Sequence, residues 1–167
     1  QIKNIEWNKR NKIMFADATK KLPFDNNEVQ YIYSSHMLEH LSKESAKKFL
    51  KECLRILSPG GVLRISLPDL RKMIDSYLTQ GDADAFIEDL YMIPPPIETP
   101  LDKLKLILIG YRHHQWMYDS KSLSKILLGI GFGKVIEQKP GDTCMSNCGK
   151  LNLSERYESS FFIEAIK

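Results

Sequence analysis

Two hydrophobic periodicities alternate along the chain. Val62 to Leu67 alternates apolar and polar positions up to Pro68, and Val29 to Tyr33 is a run of β-branched and aromatic residues. Both predict strands, as do Lys12 to Phe15, which ends at Asp17, Lys134 to Gln138, and Phe161 to Ile166. Between them, Ala46, Phe49, Leu50, Cys53, Leu54 and Leu57 recur at helical spacing. Ser42 is placed to cap that helix, Glu44 lies in its first turn, and Pro59-Gly60-Gly61 stops it. A second helix follows Asp69 as its cap, with Leu70, Met73, Ile74, Tyr77 and Leu78 inward and Gly81 beyond. A third runs from Ser120 to Ile130 on Leu123, Ile126, Leu127 and Ile130, and Gly131 ends it.

Strand and helix in this order predict an α/β fold: a doubly wound, mostly parallel sheet with helices on both faces. The whole of 1–167 reads as a single domain. Asp82 to Tyr111 interrupts the alternation with weaker helical patterns around Pro94-Pro95-Pro96, and a helical cover segment is expected at about 82–118.

Composition narrows the function classes. Hydrophobic residues make up 43% and charged ones 27% of the 167, which is the balance of a globular chain. The apolar run from Leu104 to Ile109 falls far short of the roughly 18 residues of a membrane span. Gln1 to Arg10 is polar and has no signal-peptide core. The net charge of +3 is spread rather than gathered, so a nucleic-acid partner is not favoured. Cys53, Cys144 and Cys148 form no disulfide framework, and a reducing, cytoplasmic setting is the default. Cys144 and Cys148 have ligand-like spacing but no second pair, so no metal is expected.

Three phrases occur in order: Asp17-Ala18-Thr19 running to Leu22-Pro23-Phe24, then Ser34-Ser35-His36-Met37-Leu38-Glu39-His40-Leu41, then Arg55-Ile56-Leu57-Ser58-Pro59-Gly60-Gly61-Val62-Leu63-Arg64-Ile65. At this spacing the set resembles the class I S-adenosylmethionine-dependent methyltransferases of the small "type 11" group. Gly131-Phe132 and the closing Phe162-Ile163-Glu164-Ala165 also fit that group. The resemblance implies a Rossmann-like sheet with an antiparallel C-terminal strand, and S-adenosylmethionine as cofactor with S-adenosylhomocysteine as product.

It also implies roles for particular residues. Asp17 would accept from the adenine amino group and the Ala18 N–H would face an adenine ring nitrogen. A plainer reading has Asp17 capping a turn before Thr19. Ser34, Ser35, His36 and Leu38 would lie along the methionine part of the cofactor, with His36 nearest the transferred methyl. The alternative for His36 is a buried histidine satisfied by backbone. Glu39 and His40 are read as orienting the helix start and the loop. Glu6 fits the carboxylate that holds the ribose hydroxyls, at the end of a strand from Ile2 to Trp7. In the cluster from Tyr111 to Tyr118, members that act on sugars or glycan precursors carry a histidine and an aromatic residue. His113, Trp116 and Tyr118 are therefore substrate-binding candidates, and His114 joins His36 as a catalytic one. A packed aromatic corner is the competing reading.

Two departures stand against the pattern. The glycine-rich loop after the family's first strand is absent from the sequence, and Gln30 replaces an acid. Without its first strand, a central one in that fold, the sheet would be left with unpaired inner edges. About 20 to 40 further residues upstream are therefore expected. The reaction implied is methyl transfer to an oxygen or nitrogen of a small-molecule, sugar or glycan-precursor acceptor, with His36 or His114 as base. The rival is a non-catalytic relative that keeps the fold for interaction or regulation. Oligomeric state is not legible in the sequence.

Overall fold

The computed structural model describes residues 13–94, 99–101, 103–104 and 113–167. Helix α1, Lys43–Ile56, starts where the Ser42 side chain accepts from the Ser45 N–H. It ends where the Lys167 ammonium donates to the carbonyls of Leu54 and Leu57, so a cation closes the negative pole of the helix. Helix α2, Leu70–Gln80, is capped by Asp69 and stopped by Gly81 in the left-handed conformation, φ 72°. Helix α3, Ala83–Leu90, begins at Asp82, whose side chain accepts from Ala85. Helix α4, Ser120–Ile130, carries a capping box made by Asp119 and Ser122, and Gly131 ends it.

Four strands follow the expected segments: β1, Val29–Ser35; β2, Leu57–Pro68; β3, Lys134–Gln138; β4, Ser160–Ile166. Their order across the sheet is β1-β2-β4-β3. β1 and β2 are parallel, and β4 is antiparallel to both of its neighbours, β2 and β3. β1, β2 and β3 therefore share one direction, and the C-terminal strand runs against them, as expected. The segment before Asp17 differs. Residues 13–17 form no strand, and Phe15 is almost fully exposed. No described strand lies beside them, and a strand without a ladder partner leaves its backbone groups to water.

Alternation sorts the sheet's side chains between its two faces. Leu63, Ile65, Leu67, Phe161, Ile163 and Ala165 join the core with Ala46, Phe49, Leu50, Cys53, Leu123 and Leu127 of α1 and α4. Burial pushes the Cys53 thiol up to about 12. On the other face the connection from β3 to β4, residues 139–159, lies against the sheet. The Tyr33 hydroxyl donates to the Asn152 carbonyl, and Ser35 donates to Glu155. Helix α2 departs from its expected burial: none of its residues is buried, and Leu78 is 71% exposed. Among the described residues its chief partner is α3, through the tilted rings of Tyr77 and Phe86.

The turn after α1 follows from glycine chemistry. Gly60 has φ 76°, which suits a residue without Cβ. At Gly61 a Cβ would meet the Ser58 carbonyl at 2.8 Å and the Gln30 carbonyl at 3.0 Å.

Candidate functional site

The C-terminal ends of β1 and β2 open onto a cleft of about 410 Å³ lined by His36, Pro68, Lys72, His114, Arg156 and Glu158, among others. This is the edge where ligands bind in open α/β sheets. His36 follows β1 directly, with φ 48°, a left-handed conformation that costs a non-glycine residue of order 1–2 kcal/mol. Three contacts hold it there: its N–H donates to the Ser66 carbonyl, Nε2 lies 3.1 Å from the Ser160 hydroxyl, and Nδ1 lies 3.4 Å from Glu39 Oε1.

Leu38, Glu39 and His40 form a short 3₁₀ turn. Leu38 is wholly buried in the core, and Glu39 is 1% exposed. Neither carboxylate oxygen of Glu39 has a hydrogen-bond partner among the described residues. Its backbone carbonyl accepts from the N–H groups of both Gln115 and Trp116. The segment expected to contact substrate is thereby tied to the segment expected to contact cofactor.

His114 stands beside His40, with ring centroids 5.1 Å apart. Its Nδ1 lies 2.9 Å from the Leu90 carbonyl. A carbonyl only accepts, so Nδ1 carries the proton and Nε2 keeps its lone pair. Burial holds the His114 pKa below its ordinary value, against the opposing pull of the Leu90 carbonyl and Glu39. The imidazole is therefore neutral near pH 7.

The other expected site residues fall in different places. Asp17 accepts from the N–H and hydroxyl of Thr19, and these bonds first, then Lys20, hold its carboxyl below the usual range. That is the turn cap of the plainer reading, and it leaves an ionised acceptor at the surface. Ala18 packs against the core. Neither Asp17 nor Ala18 lines the cleft. Ser34 is buried with a hydroxyl that lacks a partner among the described residues. His113 stacks at 5.0 Å on Tyr91. Trp116 is partly exposed beneath the Lys43 ammonium, 4.4 Å from the ring centroid. Tyr118 is packed in the core, and burial pushes its hydroxyl up to about 12. Glu6, the strand from Ile2 to Trp7, Tyr111 and Arg112 lie outside the described residues.

Sequence reasoning missed two arrangements. One is Arg64 and Glu164, both 0% exposed and directly opposite on β2 and β4, with a 2.9 Å ion pair. Arg64 also donates to the carbonyls of Asp142 and Leu153, anchoring the covering connection to the sheet. The signal available was a single charge in each of two otherwise uncharged strands. The other is Arg55, which binds Glu52 and also donates to the carbonyls of Leu22 and Phe24. The Leu22 N–H donates to Glu52 in turn. Two of the three sequence phrases are thus parts of one hydrogen-bonded unit.

Residues 2–65 match a family model described as a methyltransferase domain. The fold is similar to an S-adenosylmethionine-dependent methyltransferase of Archaeoglobus fulgidus, at 16% identity and TM-score 0.52, covering 92% of this chain and 66% of that one. An S-adenosylmethionine-dependent methyltransferase of Thermotoga maritima gives 16% identity and TM-score 0.51, over 95% of this chain and 66% of that one. An O-methyltransferase family protein of Burkholderia thailandensis gives 11% and 0.56, over 99% of this chain and 39% of that one. The chain spans less than two thirds of the length of each of these structures. No curated protein matches it significantly in sequence.

The likeness to these structures is one of fold, and the methyltransferase-domain match covers residues 2–65 of the 167.

Proposed function

We propose that the protein transfers a methyl group from S-adenosylmethionine to an oxygen or nitrogen of a small-molecule, sugar or glycan-precursor acceptor held in the cleft at the carboxyl edge of the sheet. The observation that carries this reading is the pair His36 and His114, which line that cleft together from segments far apart in the chain. The described residues fit the cofactor in part: Asp17 offers an ionised acceptor, and Ser34 a buried hydroxyl with no described partner. When bound, the cofactor supplies the activated methyl on a sulfonium.

The chain's own residues then orient and deprotonate the acceptor. The free Nε2 of neutral His114 is able to take a proton from an acceptor hydroxyl. His36, fixed by Ser160 and the Ser66 carbonyl, holds its ring toward the same space. Trp116, half-exposed under Lys43, is not among the residues that line the cleft.

The full protein should bind S-adenosylmethionine by calorimetry. His36→Ala should lower turnover at least about tenfold more than it lowers cofactor affinity, as loss of a group acting in the transition state does. Equal losses would make His36 a structural residue. Absence of any cofactor binding would favour the non-catalytic relative, for which Gln30 is the supporting observation.

A further inference from the structure

Glu39, His40 and His114 bring three metal-ligating side chains to one point. Their nearest donor atoms lie within 4.8 Å of one another. The carboxylate is the unusual member. At 1% exposure both of its oxygens lack a hydrogen-bond partner among the described residues, and an uncompensated buried carboxylate is costly. His36 and His40 approach its Oε1 at 3.4 and 3.9 Å without completing a bond.

Both histidines are prepared in the same way. His40 Nδ1 lies 3.3 Å from the His113 carbonyl, and His114 Nδ1 lies 2.9 Å from the Leu90 carbonyl. Each carbonyl fixes the proton on Nδ1 and leaves the Nε2 lone pair free. That is the outer support which orients metal-binding imidazoles.

We infer that Glu39, His40 and His114 form a binding site for a divalent cation of the zinc type, with an open coordination position toward the acceptor cleft. Two imidazoles and one carboxylate are a donor set that zinc accepts, with a fourth position left for water or substrate. Bonds of about 2.0–2.1 Å in a tetrahedral site place donors roughly 3.4 Å apart. Donors already within 4.8 Å need only small side-chain rotations to reach it. Magnesium and calcium, which require shells of oxygen, suit the set poorly. His114 belongs both to this cluster and to the cleft lining, so the ion would sit at the cleft wall. With the ion bound, His114 is a ligand and the proton-accepting role rests on His36.

The test is metal uptake by the full, untagged protein without S-adenosylmethionine, so it is independent of methyl transfer. After exhaustive chelation and dialysis against zinc, elemental analysis should find about one zinc per chain. Cobalt(II) should give the intense visible bands of a four-coordinate site, and magnesium should not displace either ion. His40→Gln and His114→Gln, each checked for folding by circular dichroism, should weaken zinc binding at least about tenfold. Replacing both Cys144 and Cys148 by serine should leave it unchanged. No zinc retained by the wild type, equal retention in both histidine variants, or loss of binding in the cysteine variant would each overturn the assignment.

Discussion

Glu164 sits at the centre of the sheet with four partners. Burial alone would raise its pKa. Thr143, the Cys144 N–H, Arg64 and Gln138 outweigh that and hold it below the usual carboxylate range. Glu164→Gln leaves Arg64 buried beside a neutral amide. A loss of about 3–5 kcal/mol is expected, read as a lower urea midpoint with an unchanged slope. The exposed pair Arg71 and Asp75 is the control, since Arg71→Ala should cost under about 1 kcal/mol. The sign of the pH dependence follows from the same carboxylates. Glu164, Glu52, Asp17 and Asp119 are all held below their ordinary values. A depressed acid stabilises the fold above its unfolded pKa, and that contribution disappears as pH falls through the folded one. Stability should therefore be level near neutrality and decline below about pH 5, and Glu164→Gln should flatten that decline.

Among elements, the join between α1 and the Leu22–Phe24 turn is the most informative. Arg55→Ala removes donors from the Leu22 and Phe24 carbonyls and unpairs Glu52. A lower denaturant midpoint is expected, with faster hydrogen exchange confined to residues 18–28. Gly61→Ala should be comparably damaging, because two backbone carbonyls stand within 3.0 Å of the new methyl and neither has a flexible side chain's freedom to move.

The helices were legible because their signals are local. Ser42, Asp69 and Gly131 act on atoms within a few residues, and each stands where the pattern placed it. The segment ending at Asp17 differs because three apolar residues do not by themselves name a strand, and no described strand lies beside them. Leu78 was misread because periodicity shows that a helix has an apolar face without showing what covers it. At the site, His36 and His114 were legible from motif position. The Arg64–Glu164 pair and the meeting of Glu39 with His114 were not, since each depends on a register or a turn contact between distant segments.

At the scale of the molecule, no helix among the described residues is long and apolar enough to cross a membrane. The cleft gathers its lining from the ends of β1 and β2, from α2 and α3, and from the segments 113–118 and 156–159. A site so assembled exists only once the sheet is complete. Loss of cofactor binding and loss of tertiary structure should therefore coincide in a thermal melt followed by ligand fluorescence and near-ultraviolet circular dichroism.

The strand order carries a consequence for synthesis. β4 is made after β3 yet lies between β3 and β2, so those two strands never touch directly. On the ribosome β3 is synthesised before its only described partner. At about 5–20 residues per second the wait across residues 139–159 is roughly 1–4 s. Throughout that interval the inner edge of β2, from Val62 to Pro68, is an open apolar template. Nascent chains stalled between the two strands should be the form that chaperones capture and that aggregates, even where the finished protein is soluble.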